Sequence, residues 1–429
     1  MFGFANFLLL ALFAAAVFDL IFALARGGGL RGALHGLWNT PHLLFGQQLA
    51  EWRLQLGRIL FAAGLAAYEI SVVFCNSMAR QNWAWVQGVM SPVLEWLAFL
   101  CFGAKILFGT RYTWRELLAG GALYFIARWV YFNSQNIWWI GIVVAVLAAK
   151  DVPLRRPLQV YFASGCAAMA VVLALHFAGI VAPDLTSERM GALRGTYGYG
   201  HPNTFGGLVF GLVLAYALLR AQKVRWVDCL LVFAVGVFLL VGPASRSAAL
   251  CTLALAVGLV FCRLRAGHSV PRWWPGTCAG MVGLTAAVSY LLPLLVIKVG
   301  PWNNDIGPAW LAKLDSLLTC RISLTWMAYR LLDVKIAGQV FNWPTVDNSF
   351  AFALFQLGPV VAALLGILFA AALWGHAKQG RRVEVCCLFA MLAYAYMEVQ
   401  PFHLTTNPTA LLLCGAVFAQ TSARWQKIE

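Results

Sequence analysis

Apolar residues in this chain are gathered into blocks of roughly 17 to 25, the length needed to cross a hydrocarbon core as an α-helix. Inside a bilayer no water is present to bond exposed N–H and C=O groups, so only helices or a closed barrel can span it. A barrel strand would alternate apolar and polar residues, and these blocks do not. The chain is 62% hydrophobic and 11% charged, against roughly a quarter charged in a soluble domain. The sequence therefore predicts an all-α polytopic integral membrane protein, with 1–429 forming a single membrane domain of twelve to fourteen transmembrane helices. Spans are expected near 2–25, 57–75, 90–108, 116–132, 136–149, 158–181, 203–219, 226–242, 247–262, 274–297, 348–374, 383–400 and 408–421. The first lacks a basic leading region and is long for a secretory signal, so it is expected to be retained.

The formal charge of +15 does not point to nucleic acid, because most of the excess lies in short loops between spans, where Lys and Arg set orientation. Basic residues such as Arg26, Arg53, Arg111, Lys150, Arg220, Arg263 and Arg382 fall on every second loop, as do Arg424 and Lys427 of the tail. These loops are expected in the cytoplasm, which leaves the N-terminus outside and the C-terminus inside. The eleven Cys lie mostly within spans and form no CxxC or Cys/His spacing, so they read as small apolar residues and no metal site is expected. No cofactor is expected either.

The remaining loops carry cations against that orientation bias. The long 298–347 loop, the 182–202 loop and the turn 242–246 hold Arg189, Arg194, Arg246, Lys298, Lys313, Arg321, Arg330 and Lys335. An anionic ligand at the outer face is the simplest reason for them.

Arg194 to Gly206 reads RGTYGYGHPNTFG, a polar, glycine-rich loop with no evident packing role. Pro202 suits the first turn of the next helix, where its missing N–H costs nothing. Asn203 and Thr204 fall in that turn, whose free N–H groups favour an anion. His201 is a candidate acid or base, or a histidine packed on an aromatic. Arg246, between Ser245 and Ser247, is either an anion ligand or a snorkelling interfacial side chain. Asp315 to Arg330 has a helical period that suits a membrane-surface helix, and Asp315 is a candidate partner for Arg321. Asp347 and Asn348 stand where N-caps are expected. Glu398 and Asn407 flank the last outer turn, and Glu398 needs a partner, for which an outer-face arginine is natural. Tyr197, Tyr199, Trp302, Trp310 and Trp343 can stack on sugars or sit as interfacial belt residues.

With these residues in view, the chain resembles the Wzy-type oligosaccharide repeat-unit polymerases, relatives of the O-antigen ligases. The matching blocks, in the family's order, are GYGHPNTFG at 198–206, SRSAAL at 245–250, LDSLLTCRISL at 314–324, VDNSFAFALFQLG at 346–358 and the Glu398–Asn407 turn. They cover most of 190–410, while the first 180 residues match only as hydrophobic spans. The resemblance implies a GT-C-like glycosyltransferase of the bacterial cytoplasmic membrane. Such an enzyme joins undecaprenyl-pyrophosphate-linked repeat units at the outer face by an inverting, metal-independent reaction. It implies a lipid-linked oligosaccharide as partner, with a flippase and a chain-length regulator in the same pathway. The implied pyrophosphate and glycan ligands are Arg194, Arg246, Arg321, Asn203, Asn348 and Glu398, although Glu398 could instead hold an arginine in place. The implied base is Asp347 or His201. Ligases carry a His–Asn type pair, then nine residues, then a Gly; here Asn348 and Gly358 keep that spacing, but Asp347 replaces the His. That favours the polymerase branch over an O-antigen ligase. A transporter of lipid-linked sugars is the reading from another class; it would place ionisable residues mid-membrane rather than in outer loops.

Overall fold

The computed structural model describes residues 2–25, 29–45, 50–181, 187–189, 192–297 and 306–418. Arg26, Lys298, Trp302, Arg424 and Lys427, named above, lie outside the described residues. In chain order the helices are α1 (Phe2–Ala25), α2 (Gly29–Asn39), α3 (Ala50–Cys75), α4 (Ala79–Asn82), α5 (Ser91–Phe108), α6 (Trp114–Ser134) and α7 (Ile137–Ala148). They continue as α8 (Arg155–Phe177), α9 (Pro202–Leu219), α10 (Trp226–Val241), α11 (Arg246–Leu264), α12 (Trp274–Leu291), α13 (Ala309–Leu317) and α14 (Arg321–Leu331). The last four are α15 (Ser349–Phe352), α16 (Pro359–Lys378), α17 (Arg382–Met397) and α18 (Cys414–Val417). Two short antiparallel pairs complete the secondary structure: β1 (His42–Leu43) with β2 (Arg111–Tyr112), and β3 (Ser187–Arg189) with β4 (Ala192–Arg194).

By length and composition, eight helical segments are long and apolar enough to cross a membrane, and each coincides with an expected span. Three further spans appear as shorter apolar helices at 137–148, 226–241 and 408–417. The last is mostly a 3-10 turn over Pro408–Leu413 rather than a continuous α-helix. The all-α polytopic reading holds at this level. Helix α2 was not expected; its apolar positions Ala33 and Leu37 are buried while most of its other residues are exposed.

The chain divides into two compact units. The first comprises residues 1–128, 140–204 and 410–429. Its core forms where α3 packs on α5 and α8, with α1 against α5. Lys150, read from sequence as an orientation charge in a cytoplasmic loop, is buried here. Its Nζ lies 3.2 Å from Glu116 and donates to the Arg111 carbonyl.

The second unit comprises residues 129–139 and 205–409. Here α10 packs on α11, α11 on α17, and α12 on α16 and α17. At one end of the α11–α17 contact the Sγ atoms of Cys262 and Cys386 lie 3.5 Å apart. Two expectations are corrected in this unit. The period over 315–330 is not one helix: Thr319 and Cys320 adopt φ of 61° and 63°, which ends α13 and restarts the chain as α14. Leu311 and Ile322, one from each helix, close a small core with Val296 and Ile306. The span 348–374 is also broken. After α15 the chain winds as a π-helix over Ala353–Leu357, turns at Gly358 with φ 91°, and only then enters α16 at Pro359. A Cβ on Gly358 would overlap the Ile336 carbonyl oxygen, so the crossing loop requires glycine there.

Candidate functional site

In the first unit, the glycine-rich loop has a packing role after all. Tyr197 and Gly198 turn the chain with φ of 51° and 81°. The Gly198 carbonyl then accepts the Met78 N–H at 2.8 Å, and Tyr199 bridges Ser77. Tyr199 is fully buried, which removes it from the aromatics available to a sugar. Arg194 closes β4 and is buried; its Nη2 donates to Asn203 Oδ1 at 2.9 Å, so these two expected site residues meet. His201 stays exposed, and its Nδ1 accepts the Asn203 backbone N–H at 3.1 Å. The imidazole thus caps the first turn of α9.

In the second unit, four of the five sequence blocks converge on one carboxylate. Glu398 follows the last residue of α17 and is 5% exposed. Its Oε1 accepts from Ser247 Oγ at 2.6 Å and from Arg321 Nη2 at 2.8 Å. Its backbone carbonyl accepts from Ser349 Oγ at 2.6 Å. Arg321 is buried; its Nε donates to the Met397 carbonyl at 2.7 Å and its Nη1 to the Thr319 carbonyl at 3.3 Å. Asp347 Oδ2 stands 3.7 Å from Arg321 Nη2, and the Asp347 side chain is 29% exposed. An unpaired carboxylate at this depth would be costly, and the guanidinium with the Ser247 hydroxyl offsets that cost.

Other expected partners sort differently. Asp315 does not pair with Arg321; its Oδ1 accepts the backbone N–H groups of Ile322 at 2.8 Å and Ser323 at 3.2 Å, capping α14 from the helix before it. Asn348, rather than Asp347, caps α15, its Oδ1 accepting from Phe350 and Ala351, while its Nδ2 donates to Ser289 Oγ at 3.2 Å. Arg246 is the half-buried first residue of α11, just after Ala244 with φ 49°. The glycine block is represented by Gly206, which packs directly on Ser245, where a Cβ would overlap the Ser245 side chain.

Asn407 braces the last turn by donating to the Pro401 carbonyl at 2.9 Å. Within that turn His403 packs at a tilt on Trp138, ring centroids 3.9 Å apart, and burial pushes its imidazole down to about 4. Trp310 and Trp343 remain exposed. Among the described residues, no group of three or more His, Cys, Asp or Glu side chains is placed to hold a metal ion.

No protein-family model, curated protein or solved structure matches this chain.

The residues that sequence reasoning passed over are Ser247 and Ser349. Ser247 stood beside Arg246 and drew no role, yet its hydroxyl meets Glu398 across 151 positions of sequence. The only signal was its place in the same short blocks.

Proposed function

We propose that this protein is a multi-pass membrane glycosyltransferase of the Wzy type. On this reading it extends a surface polysaccharide by joining undecaprenyl-pyrophosphate-linked repeat units at the outer face of the bacterial cytoplasmic membrane. The observation that carries the reading is the meeting of SRSAAL, LDSLLTCRISL, VDNSFAFALFQLG and the Glu398 turn around one buried ion pair. Their shared contacts at Glu398 are what supports a common site.

The acceptor sugar hydroxyl attacks the anomeric carbon of the donor. The new O–C bond forms as the C–O bond to the lipid pyrophosphate breaks, and inversion follows from a single displacement. Negative charge grows on the leaving pyrophosphate, where fixed cations in a water-poor site are worth most. Arg246, the half-buried first residue of α11, is the cation assigned to it. Asp347 takes the acceptor proton, because its carboxylate is partly exposed. His201 is less suited, since its Nδ1 is already used as a helix cap.

The test supplies detergent-purified protein with its native lipid-linked repeat unit in the presence of EDTA. A ladder spaced by one repeat unit, still on lipid, is the expected product. Transfer of single units to another acceptor without a ladder would favour a ligase. No transfer at all, from protein that is active in cells, would overturn the glycosyltransferase reading.

A further inference from the structure

Arg321 is poorly placed to bind a phosphate. All three guanidinium nitrogens already donate to groups of the chain, and the side chain is 7% exposed. Bidentate phosphate recognition needs a pair of parallel N–H groups presented to the ligand. What Arg321 does present is one edge to Asp347, the more exposed carboxylate of the cluster.

We propose that Ser247, Glu398 and Arg321 form a positioning clamp, in which Ser247 and Glu398 fix the guanidinium and the guanidinium fixes Asp347. The chain of contacts runs at 2.6 Å, 2.8 Å and 3.7 Å. Two backbone carbonyls, of Met397 and Thr319, lock the plane of the guanidinium. Arg321 and Glu398 cancel in charge, so the clamp orients Asp347 without adding net charge beside it. Ser349, next but one to Asp347, ties the same strand of chain to the Glu398 carbonyl. Arg321, Glu398 and Ser247 are therefore positioning residues, which act on the substrate only through Asp347. That last role rests on the polymerase reading; the clamp itself does not.

The experiment uses the full-length protein in detergent and the variants Ser247→Ala, Glu398→Gln and Arg321→Lys. Asp347 is labelled with a water-soluble carbodiimide and an amine, and the modified peptide is followed by mass spectrometry. Release of the carboxylate is expected to raise the labelling rate several-fold in each variant. Unchanged labelling of Asp347 in Ser247→Ala and Glu398→Gln overturns the clamp. Ser247→Ala removes one hydroxyl and keeps the ion pair, so it serves if a charged variant fails to fold.

Polymerisation assays then separate positioning from phosphate binding. The three variants are expected to lose about ten- to hundredfold in kcat, as a displaced catalytic group does, with KM little changed. Inhibition by inorganic pyrophosphate is expected to persist in Arg321→Lys and to weaken in Arg246→Ala. Loss of pyrophosphate inhibition in Arg321→Lys, with Asp347 labelling as in the wild type, would make Arg321 a phosphate ligand and overturn the proposal. A wild-type protein that makes no polymer overturns the polymerase reading, and the labelling result then decides the clamp alone.

Discussion

Asp347 and His201 part company once their neighbours are known. Asp347 faces Arg321 and has a share of its surface open, whereas His201 spends a ring nitrogen on the backbone of Asn203. Asparagine is itself a good N-cap. His201→Asn is therefore expected to keep most of the polymerase activity, while Asp347→Asn loses on the order of a hundredfold or more in kcat as an absent general base. Ladder formation by the two variants, compared at equal protein, checks this. His403 gives a separate prediction in pH. Its folded-state value of about 4 lies below the 6.5 of an unperturbed imidazole, because burial disfavours the charged ring. Between those values the unfolded chain binds the extra proton, so stability falls as the pH drops through that range and is fully present above 6.5. His403→Phe keeps a ring on Trp138 and removes the titration. Its melting temperature should fall less steeply from pH 6.5 to 4.5 than that of the wild type; an equal slope would contradict the assignment.

The break between α15 and α16 is the element on which the second unit turns. Gly358 combines φ 91° with contact against the Ile336 carbonyl, and the Gln339 N–H bonds the Gln356 carbonyl at 3.1 Å beside it. Gly358→Ala is expected to destabilise by about 1–3 kcal/mol from the backbone conformation alone, with further cost from the overlap. Thermal unfolding of the purified variant measures it. This break could not be read in the sequence, because residues 350–366 carry no charge and are interrupted only by Gln356, and hydropathy does not record a change of winding. The same blindness joined α13 to α14, since a helical period continues through Thr319 and Cys320 although their backbone does not. What was legible were features with local causes. Pro202 begins α9, Asn348 caps α15, and apolar length marks the long helices. Partner choice was legible only in kind. Glu398 needed an arginine, and only the fold says that Arg321 pairs with Glu398, while Asp315 caps α14 instead. Tyr199 looked available to a ligand because composition cannot distinguish an exposed loop from one tucked under α3 and α4.

At the scale of the molecule, a native reporter tests the orientation read from charge. Among the eleven cysteines, all of which are described, Cys320 is the exposed one, and it sits at the start of α14 within the expected outer loop. A membrane-impermeant maleimide is expected to label Cys320 in spheroplasts before lysis. Labelling only after permeabilisation would invert the topology and move the basic loops to the opposite side. The helix pair α11 and α17 has a mechanical consequence. Ser247 meets Glu398 at one end and Cys262 meets Cys386 at the other, about 22 Å apart along α11 at 1.5 Å per residue. Contacts at two such distant points, with packed side chains between them, favour the two helices moving as one body. On the polymerase reading proposed above, room for a long glycan beside Asp347 is then expected from the α13–α14 elbow and the crossing at Gly358 rather than from movement along this helix pair.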